Sequence, residues 1–481
     1  MENKVIEKEV RTPSFFFAVC NVFIVIVIMM TGLLAFHLNI HMLLVTTTIV
    51  LCFFNLALGH KFERILKAMV SSINNAMVAM FFFFIIGMAV AAWMISGCLP
   101  TLIYYGLSLL SASIFLPATF LLCSITSLAC GSSWTTGGTI GVVLLGIGIS
   151  IGFPEPLIIG TIIAGAYFGD KMSPVSDTTI LASTVARADL FQHIGAMLYI
   201  TVPAWILSLI IYTVLGFGHA SAAVSLVSVA EFQAEIVKYM NVNWILILPL
   251  LVVLVMSVLR IHAIPTLMAG VFIAIPLAMI FQEQTLSTIY AALNTGVRME
   301  IESPMIARIV NRGGVQGMMS TFSLAFLCIA MGGVLEDSGS LQVLVNRLVN
   351  AVKNSRLYPM FTIITCYIVV LCTGEQYMGI LLTGSVYRDV YEKAGFERRM
   401  LSRNLEEGGT VASPLIPWTT AGAYFTGALG LSPLIYAPYA VLNYATSILG
   451  IIIPLFGLTL LTKARAEKKA AARAAKKNAA A

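Results

Sequence analysis

Apolar runs long enough to cross a lipid bilayer recur along most of this sequence of 481 residues. A helix needs roughly 20 apolar residues to cross the hydrocarbon core. Glycine-rich, interrupted apolar stretches fill residues 132–186 and 358–430, and the pattern as a whole predicts an all-α polytopic membrane protein with about 12 transmembrane segments. The uninterrupted runs lie near residues 14–36, 40–57, 75–97, 102–129, 192–217, 242–259, 263–282, 315–335 and 433–461.

The composition agrees with lipid as the outer solvent of this chain. Only 10% of its residues are charged and 59% are hydrophobic, whereas a soluble domain carries about 25% charged residues to wet its surface. The sequence contains no H-E-x-x-H or P-loop motif, so nothing supports a membrane protease or an ATP-driven pump. We therefore expect neither an enzyme nor a resident cofactor.

Basic residues beside the spans predict the orientation, because lysine and arginine near span ends stay on the cytoplasmic side. The tail 462–481 is rich in both, and Lys61, Arg64 and Lys67 follow the second span. Both termini are therefore expected to be cytoplasmic. The tail could also be read as a nucleic-acid or partner-binding arm, but we favour contact with anionic lipid and expect no nucleic-acid partner.

Three pairs of short motifs recur 240 to 243 residues apart and predict an internal repeat. The loop at 98–101 lacks basic residues and its counterpart near 340–357 contains them, so the two halves are predicted to have inverted topology. Inverted repeats place a substrate site near the bilayer midplane, between discontinuous helices, and support alternating access. The paired motifs are Ser96-Gly97 with Ser338-Gly339, Gly131 with Gly374, and Ser173-Pro174 with Ser413-Pro414.

This repeat divides the chain into five predicted segments. They are N-terminal scaffold spans at 1–72, a first repeat half at 73–217, connecting or scaffold spans at 218–312, a second repeat half at 313–461, and a basic cytoplasmic tail at 462–481.

Four polar interruptions that contain glycine or proline predict broken or re-entrant helices. Irregular backbone at membrane depth is tolerated only inside protein or beside water. Proline disfavours helix at the residue before it, so Ser173 and Ser413 are predicted to be openings with freed carbonyl groups. Carbonyls, hydroxyls and a carboxylate suit a hard cation, and we expect Na⁺ at Asp177, Ser173 and Ser413. The interruptions lie at 131–138, 169–179, 373–376 and 406–420.

Acidic residues within apolar segments indicate where chemistry takes place. Asp170, Asp177 and Glu375 have such surroundings, and an acid inside a membrane segment usually faces a cavity or a partner. One buried acid can bind either a proton or a metal cation, and this competition is the simplest exchange mechanism. Each acid could instead have a structural role, Asp170 by pairing with the adjacent Lys171. Glu406, close to a basic loop, is expected on a solvated face.

Several stretches of the chain resemble the NhaC-type sodium/proton antiporter family. They are GSSWTTGGTIGVVLLGIG, GAYFGDKMSPVSDTTILA at 165–182, SRNLEEGGTVASPLIPWTTAGAY at 402–424 and SGCLPTLIYYGL at 96–107. The resemblance implies an ion-transporter-superfamily fold with scaffold and transport parts, a bacterial-type cytoplasmic membrane, a homodimer, and sodium as the coupling ion. Some members exchange sodium and malate for protons and lactate, so a small carboxylate substrate stays open.

The residues and the resemblance together define a predicted ion or substrate site. We expect a secondary transporter that exchanges Na⁺ for H⁺ by alternating access. The alternatives are an antiporter or symporter of a small organic acid, and a channel or sensor without coupled transport. The predicted site consists of Ser132, Ser133, Thr135, Asp170, Ser173, Ser176, Asp177, Thr178, Glu375, Glu407, Thr410 and Ser413.

Overall fold

A computed structural model describes residues 12–109, 111–220, 226–352, 354–462 and 464. Its regular structure in these ranges is helical, apart from one isolated antiparallel bridge between Phe396 and Thr462. Most of the predicted basic tail and the charged N-terminal residues 1–11 lie outside the described residues.

Three helices precede the first repeat. The Ser14 hydroxyl caps the first by accepting a hydrogen bond from the Phe17 N–H at 3.3 Å, and the Asn39 side chain caps the second. Both caps satisfy N–H groups that a helix leaves unpaired at its start. The helices are α1 Phe15–Leu34, α2 Ile40–Ala57 and α3 Phe62–Asn75.

The first repeat is built from long helices that are interrupted at the predicted breaks. A π-helical segment, Gly137–Gly141, joins α7 to α8 without a turn. The helices are α4 Met77–Ile95, α5 Cys98–Leu109, α6 Ala112–Cys130, α7 Ser133–Thr136, α8 Val142–Ile151, α9 Glu155–Met172, α10 Asp177–Val185 and α11 Leu190–Ala220.

Five helices and a short 3₁₀ segment, Trp244–Ile247, connect the two repeats. The chain bends by 86° between α12 and the segment that leads into α13. The helices are α12 Leu226–Tyr239, α13 Leu248–Val258, α14 Ala263–Phe281, α15 Leu286–Thr295 and α16 Pro304–Val310.

The second repeat also has eight helices, and its π-helical segment follows the fifth of them instead of the fourth. Its irregular parts are a π-helical segment, Glu406–Thr410, and three 3₁₀ segments, Ser355–Leu357, Ser413–Leu415 and Ala437–Tyr439. The helices are α17 Val315–Asp337, α18 Ser340–Ala351, α19 Tyr358–Thr373, α20 Gln376–Lys393, α21 Arg398–Leu405, α22 Thr420–Leu429, α23 Pro433–Tyr436 and α24 Val441–Leu455.

Within the described residues, nine helices are long and apolar enough to cross a membrane, and eleven spans result if two bent helix pairs count as one each. The polytopic, all-α prediction is thereby confirmed, with slightly fewer such spans than the predicted number. Helices α9 and α20 have 18 residues each but carry three and four charged side chains, so they do not read as ordinary apolar spans. Asp170 and Lys171 of α9 are buried, whereas Asp389 and Lys393 of α20 are exposed.

The repeat is visible in the backbone. Gly131 (φ 68°) ends α6 and Gly374 (φ 72°) ends α19, both in the left-handed conformation, and each is followed by an extended residue that caps the next helix. Helix α4 packs against its counterpart α17 in antiparallel fashion, since Phe83 contacts Phe322 while the Gly314 N–H donates to the Gly87 carbonyl at 2.7 Å. This direction agrees with the predicted inverted topology.

Helix α9 lies at the centre of the fold, with most of its length buried. Gly165 and Gly169 let it approach α6 closely: a Cβ on Gly165 would lie 2.6 Å from the Phe120 carbonyl oxygen. Small residues at four-residue spacing permit such contacts between membrane helices. The close packing fixes the end of α9, where Asp170 and Lys171 are located.

Candidate ion-binding site

Asp170 is the centre of a hydrogen-bonded network at the C-terminal end of α9. Its side chain is 6% exposed. The Ser133 hydroxyl donates to Oδ2 at 2.7 Å, and the Ser176 hydroxyl donates to Oδ1 at 2.5 Å. The Ser176 and Thr178 hydroxyl oxygens are 3.1 Å apart. One carboxylate therefore joins α9, the break after it, and the start of α7.

The break after α9 forms where the sequence predicts it. Ser173 is extended (φ −79°, ψ 131°) and precedes Pro174, which cannot donate an N–H and disfavours helix before it. The Thr179 hydroxyl turns back and donates to the carbonyl oxygens of Lys171 at 2.9 Å and Asp170 at 3.3 Å. It supplies hydrogen bonds to two carbonyls at the helix end.

Ser132 and Thr135 organise the start of α7. The Ser132 hydroxyl accepts hydrogen bonds from the Thr135 N–H and the Thr135 hydroxyl, both at 3.1 Å. Gly131 precedes it with a positive φ, and a Cβ there would lie 3.0 Å from the Val175 carbonyl carbon. The two breaks of the first repeat thus touch each other at a position that requires glycine.

Glu375 has the equivalent position in the second repeat. It caps α20 with Oε1, which accepts from the Tyr377 N–H at 3.5 Å, while Oε2 accepts from the Thr420 hydroxyl at 3.0 Å. The Thr420 N–H donates to the Gly374 carbonyl at 2.9 Å. In each repeat, one carboxylate therefore links the start of a helix to the neighbouring break.

A buried charged cluster lies next to Asp170 and draws its members from both repeats. Lys171, Arg403, Glu406 and Glu407 are all 0% exposed. Arg403 Nε lies 3.4 Å from Glu407 Oε1, and the charges that act on the Lys171 ammonium are those of Glu407, Glu406 and Arg403. Lys171 and Asp170 are neighbours in sequence, but the Lys171 side chain interacts with charged residues of the second repeat.

Several buried polar atoms of this region have no hydrogen-bond partner among the described residues. They are Lys171 Nζ, both carboxylate oxygens of Glu406 and of Glu407, the Thr410 and Ser413 hydroxyls, and both ring nitrogens of His193. Buried polar groups are nearly always paired, and each exception calls for an explanation. Most of these atoms lie in or beside the break after α9 and the segment 406–413.

The expectation that Glu406 lies on a solvated face is wrong, because it is fully buried. It lies in the π-helical segment Glu406–Thr410, which packs against α19 and α20, and those helices exclude solvent. The adjacent basic loop suggested an aqueous boundary. The signal that was overlooked is the Glu-Glu-Gly-Gly sequence, in which two acids are followed by the smallest residues within an otherwise apolar stretch.

The predicted sodium ligands Asp177, Ser173 and Ser413 have different environments. Ser173 and Ser413 are buried, whereas the Asp177 side chain is exposed at the first residue of α10. Its charge nevertheless acts on Asp170, and the charges of Asp170, Asp177 and Glu375 all act on Tyr377. The role of Asp177 in ion binding stays a prediction.

Oxygen atoms dominate the site, and their type restricts the ion that it can hold. In the part of the chain that the structure describes, no group of three or more His, Cys, Asp or Glu side chains is arranged to hold a metal ion. The Asp170 network instead offers two carboxylate and three hydroxyl oxygens. Such ligands suit a weakly held hard cation better than a tightly bound transition metal.

A model of the Na⁺/H⁺ antiporter family matches residues 5–194 and 165–458, which include every element of this site. The chain belongs to the Na⁺/H⁺ antiporter family. The predicted NhaC-type relationship is confirmed, and with it the prediction of a secondary antiporter. A multi-pass transporter of the Na⁺/H⁺ antiporter family also agrees with the helical architecture and with a role other than that of an enzyme.

Three relatives of this chain are named for different substrates. The chain is 35% identical to the Na⁺/H⁺ antiporter NhaC of Bacillus subtilis, over 89% of this chain and 94% of the relative. It is 32% identical to the malate-2H⁺/Na⁺-lactate antiporter of the same organism, over 92% and 95%. It is also 32% identical to the arginine/ornithine antiporter ArcD of Halobacterium salinarum, over 84% of each chain.

Proposed function

We propose that this member of the Na⁺/H⁺ antiporter family exchanges Na⁺ for H⁺ by alternating access, and that Asp170 is the main ligand of the cation. The observation that carries the proposal is the Asp170 network, a buried carboxylate held by two hydroxyl groups where two helix breaks meet. A carboxylate at membrane depth is retained only where it has a partner or a task.

The network contains the ligands that Na⁺ needs. The hydroxyls of Ser133 and Ser176 donate to Asp170 in the described structure. A hydroxyl group can rotate and present its lone pairs instead. Two carboxylate oxygens and the hydroxyls of Ser133, Ser176 and Thr178 would then surround a cation without any movement of the backbone. Contacts with the cation would then replace the hydrogen bonds that Ser133 and Ser176 donate to Asp170.

The charge balance of the buried site favours a cation as the transported species. In the described residues, the buried acidic and basic side chains, histidine aside, comprise three anions and two cations. One negative charge is in excess when all are ionised, which is costly in a low-dielectric interior. Either Na⁺ or a proton removes the excess. The set consists of Asp170, Lys171, Arg403, Glu406 and Glu407.

Competition of Na⁺ and H⁺ for one negative charge accounts for exchange. The site is stable with either ion bound and unstable when empty. The protein therefore changes the side of the membrane to which the site opens only when an ion is bound. The inverted repeats supply two related arrangements of the same elements, as alternating access requires. The backbone can adjust at the extended residues Ser173 and Ile416. Ile416 follows the 3₁₀ segment Ser413–Leu415, so the second opening does not lie at Ser413 itself, as predicted.

Everted membrane vesicles of a host without its own Na⁺/H⁺ antiporters provide the test. With an imposed proton gradient, acidic inside, addition of Na⁺ should alkalinise the lumen, and Asp170→Asn should abolish this response. Glu302→Gln is the matched control, because Glu302 is exposed and pairs with Lys238 at the surface. An unchanged response in Asp170→Asn would refute the assignment of the site.

A second candidate function is Na⁺-coupled exchange of a small carboxylate. The specific observation in its favour is the relative named malate-2H⁺/Na⁺-lactate antiporter, which matches nearly the whole chain. Proteoliposomes should then take up labelled malate or lactate in a Na⁺-stimulated manner. Arginine and ornithine belong in the same panel because of the third relative. Indifference to all four solutes would reject this candidate.

We also propose a location, an orientation and an oligomeric state for the protein. We place it in the cytoplasmic membrane with both termini inside and as a homodimer. Support for the orientation comes from Lys61, Arg64 and Lys67 after α2. Labelling of single cysteines in the tail from either side of the membrane tests the orientation. Crosslinking in native membranes tests the homodimer.

A further inference from the structure

We propose that the corner between α12 and α13 binds the headgroup of a phospholipid that carries both a phosphate and a protonated amine, as phosphatidylethanolamine does. The corner lies outside the Asp170 network, and the inference holds whichever species the protein exchanges. It rests on a cavity, on the charges and rings beside that cavity, and on an apolar helix face that continues from it.

The sharp turn of the chain at this corner creates the cavity. The segments Gln233–Tyr239 and Trp244–Val258 meet at 86°, and α5 packs beside the turn. The open cavity between them has a volume of about 550 Å³. Tyr104 and Tyr105 of α5 line one side, and residues 237–242 line the other. Sites for small molecules commonly have volumes of about 300–1,000 Å³, so a headgroup fits.

Hydrogen bonds hold the two sides of the cavity in place. The Gln233 side chain donates to the Tyr104 carbonyl at 2.7 Å and to the Ser108 hydroxyl at 2.9 Å, which fixes α12 to α5. At the turn, the Gln282 side chain accepts from the Asn241 N–H at 2.9 Å and donates to the Asn241 carbonyl at 2.8 Å. The cavity is therefore formed in the absence of a ligand, and binding requires little ordering of the protein.

Aromatic rings place the corner at the surface of the bilayer. The rings of Tyr105 and Trp244 are stacked with centroids 3.9 Å apart, and Trp244 is 63% exposed. Tyrosine and tryptophan are enriched where the hydrocarbon core meets the headgroups. Arg260 follows the opposite end of α13, as expected for a cytoplasmic end. With the proposed orientation, the aromatic corner therefore faces the outer leaflet.

The exposed face of α13 provides a path for the acyl chains of the lipid. A row of exposed apolar side chains begins three residues after Val242, the last residue that lines the cavity. Their spacing of three or four residues places them on one side of the helix. A phospholipid can contact the cavity and this row together, whereas a soluble solute contacts the cavity alone. The row consists of Ile245, Leu248, Leu251, Val255 and Val258.

The charges beside the cavity match a headgroup that carries both signs. Lys238 lines the cavity, and its ammonium nitrogen lies 3.1 Å from Oε2 of Glu302. Both side chains are more than half exposed, so a ligand reaches them without breaking a buried ion pair. A phosphate beside Lys238 and an ammonium beside Glu302 give four charges of alternating sign. Each charged group then has a neighbour of opposite charge.

This ion pair discriminates between phospholipid headgroups. Phosphatidylglycerol brings a phosphate without a cation, so Glu302 repels it, and Glu235, one helical turn before Lys238, adds to the repulsion. Phosphatidylcholine brings a cation that has no N–H to donate to a carboxylate. The ethanolamine ammonium has N–H donors for Glu302. A cation also fits over an aromatic face here, since Lys238 Nζ lies 5.3 Å from the centroid of the Tyr239 ring.

Native mass spectrometry of the purified, full-length protein in detergent tests the site. The delipidated protein is titrated with phosphatidylethanolamine, phosphatidylglycerol and phosphatidylcholine of equal chain length. The wild type should bind one phosphatidylethanolamine about tenfold more tightly than either of the other lipids. In Lys238→Gln the phosphate loses a charge-assisted hydrogen bond, so the affinity for phosphatidylethanolamine should fall about tenfold.

Lys393→Gln is the matched control, because it removes the same charge from an exposed lysine at the end of α20. It should bind all three lipids as the wild type does. Glu302→Gln tests the other half of the pair. The ammonium loses its partner and phosphatidylglycerol is repelled less, so the preference for phosphatidylethanolamine over phosphatidylglycerol should shrink to less than about threefold.

Tryptophan fluorescence locates the bound lipid. Phosphatidylethanolamine with brominated chains should quench the emission of Trp244 more strongly than brominated phosphatidylcholine at the same concentration, because it stays beside α13. Trp244→Phe keeps an aromatic ring against Tyr105 and removes this emission. The excess quenching by phosphatidylethanolamine should then disappear.

Each readout can overturn the inference. Equal affinities of the wild type for the three lipids, tighter binding of phosphatidylglycerol, or an unchanged affinity in Lys238→Gln would contradict it. Excess quenching that persists in Trp244→Phe would place the lipid elsewhere and reject the corner as its site. None of these results bears on Na⁺/H⁺ exchange, which the vesicle response of Asp170→Asn tests separately.

Discussion

The hydroxyl of Ser133 donates a 2.7 Å hydrogen bond to Oδ2 of Asp170 and so connects the first residue of α7 to the last turn of α9. The second repeat contains the same kind of connection, with the roles exchanged: there the carboxylate, Glu375, stands at the helix start and the hydroxyl, Thr420, on the far side. Each repeat therefore has one carboxylate–hydroxyl hydrogen bond between the start of a helix and a neighbouring break.

Removal of the Ser133 hydroxyl should weaken Na⁺ binding. In Ser133→Ala, Asp170 loses one of its two donors and the cation loses a ligand. Hydrogen bonds to charged groups contribute about 1.5–3 kcal/mol, so we expect the apparent Na⁺ affinity to fall between about tenfold and hundredfold. Ser150→Ala is the control, because the Ser150 hydroxyl only bonds to the Gly146 carbonyl within α8. Equal effects of the two variants would speak against a ligand role.

Asp177 provides a comparison between two carboxylates on the same break. Its side chain is exposed, so its removal costs little desolvation or pairing energy. Asp177→Asn should raise the Na⁺ concentration for half-maximal exchange by less than about tenfold, whereas Asp170→Asn should abolish exchange. The readout is the Na⁺ dependence of exchange in vesicles. A complete loss in Asp177→Asn alone would return Asp177 to the position of main ligand.

The contact between Trp134 and Tyr424 should stabilise the assembled repeats. Their rings are stacked with centroids 4.3 Å apart, and the Tyr424 hydroxyl donates to the Trp134 carbonyl at 2.7 Å. Tyr424→Phe keeps the ring and removes the hydrogen bond, which costs about 0.5–1.5 kcal/mol. Thermal unfolding in detergent should therefore shift downward by a few degrees. Tyr444→Phe, at an exposed hydrogen bond to Pro438, should leave the transition in place.

The buried ion pair of Arg403 and Glu407 should be essential as a pair. Arg403→Met leaves the Glu407 charge buried without its partner, and breaking such a pair costs about 3–5 kcal/mol. We expect little folded protein by size-exclusion chromatography. The double variant Arg403→Met with Glu407→Gln removes both charges and should restore the folded yield. If the double variant is as unstable as the single one, the charges are not the cause.

The sequence predicted the helical spans and the positions of the breaks because both depend on local properties. Twenty apolar residues have to span lipid, and the left-handed ends of α6 and α19 need Gly131 and Gly374. The opposite directions of α4 and α17 were also predictable, since charges in the connecting loops report on orientation, but their packing against each other was not predicted.

The sequence could not predict the burial of Glu406 or the partner of Lys171. Both depend on how the π-helical segment Glu406–Thr410 packs against α19, α20 and α21 and on how close it lies to Lys171, that is, on contacts between residues far apart in the chain. Adjacency in sequence favoured a pair of Asp170 with Lys171, but successive residues on a helix point in different directions. Lys171 therefore faces Glu406 and Glu407, and Asp170 faces the hydroxyls.

Proton uptake driven by a Na⁺ gradient in proteoliposomes tests the central claim most directly. Purified protein is reconstituted with Na⁺ inside and a pH indicator in the lumen, and it is then diluted into Na⁺-free medium at equal pH with no organic solute on either side. The outward Na⁺ gradient should drive H⁺ inward and acidify the lumen in wild-type liposomes and not in Asp170→Asn. If labelled Na⁺ leaves the wild-type liposomes while the pH of their lumen stays constant, the result contradicts Na⁺/H⁺ exchange.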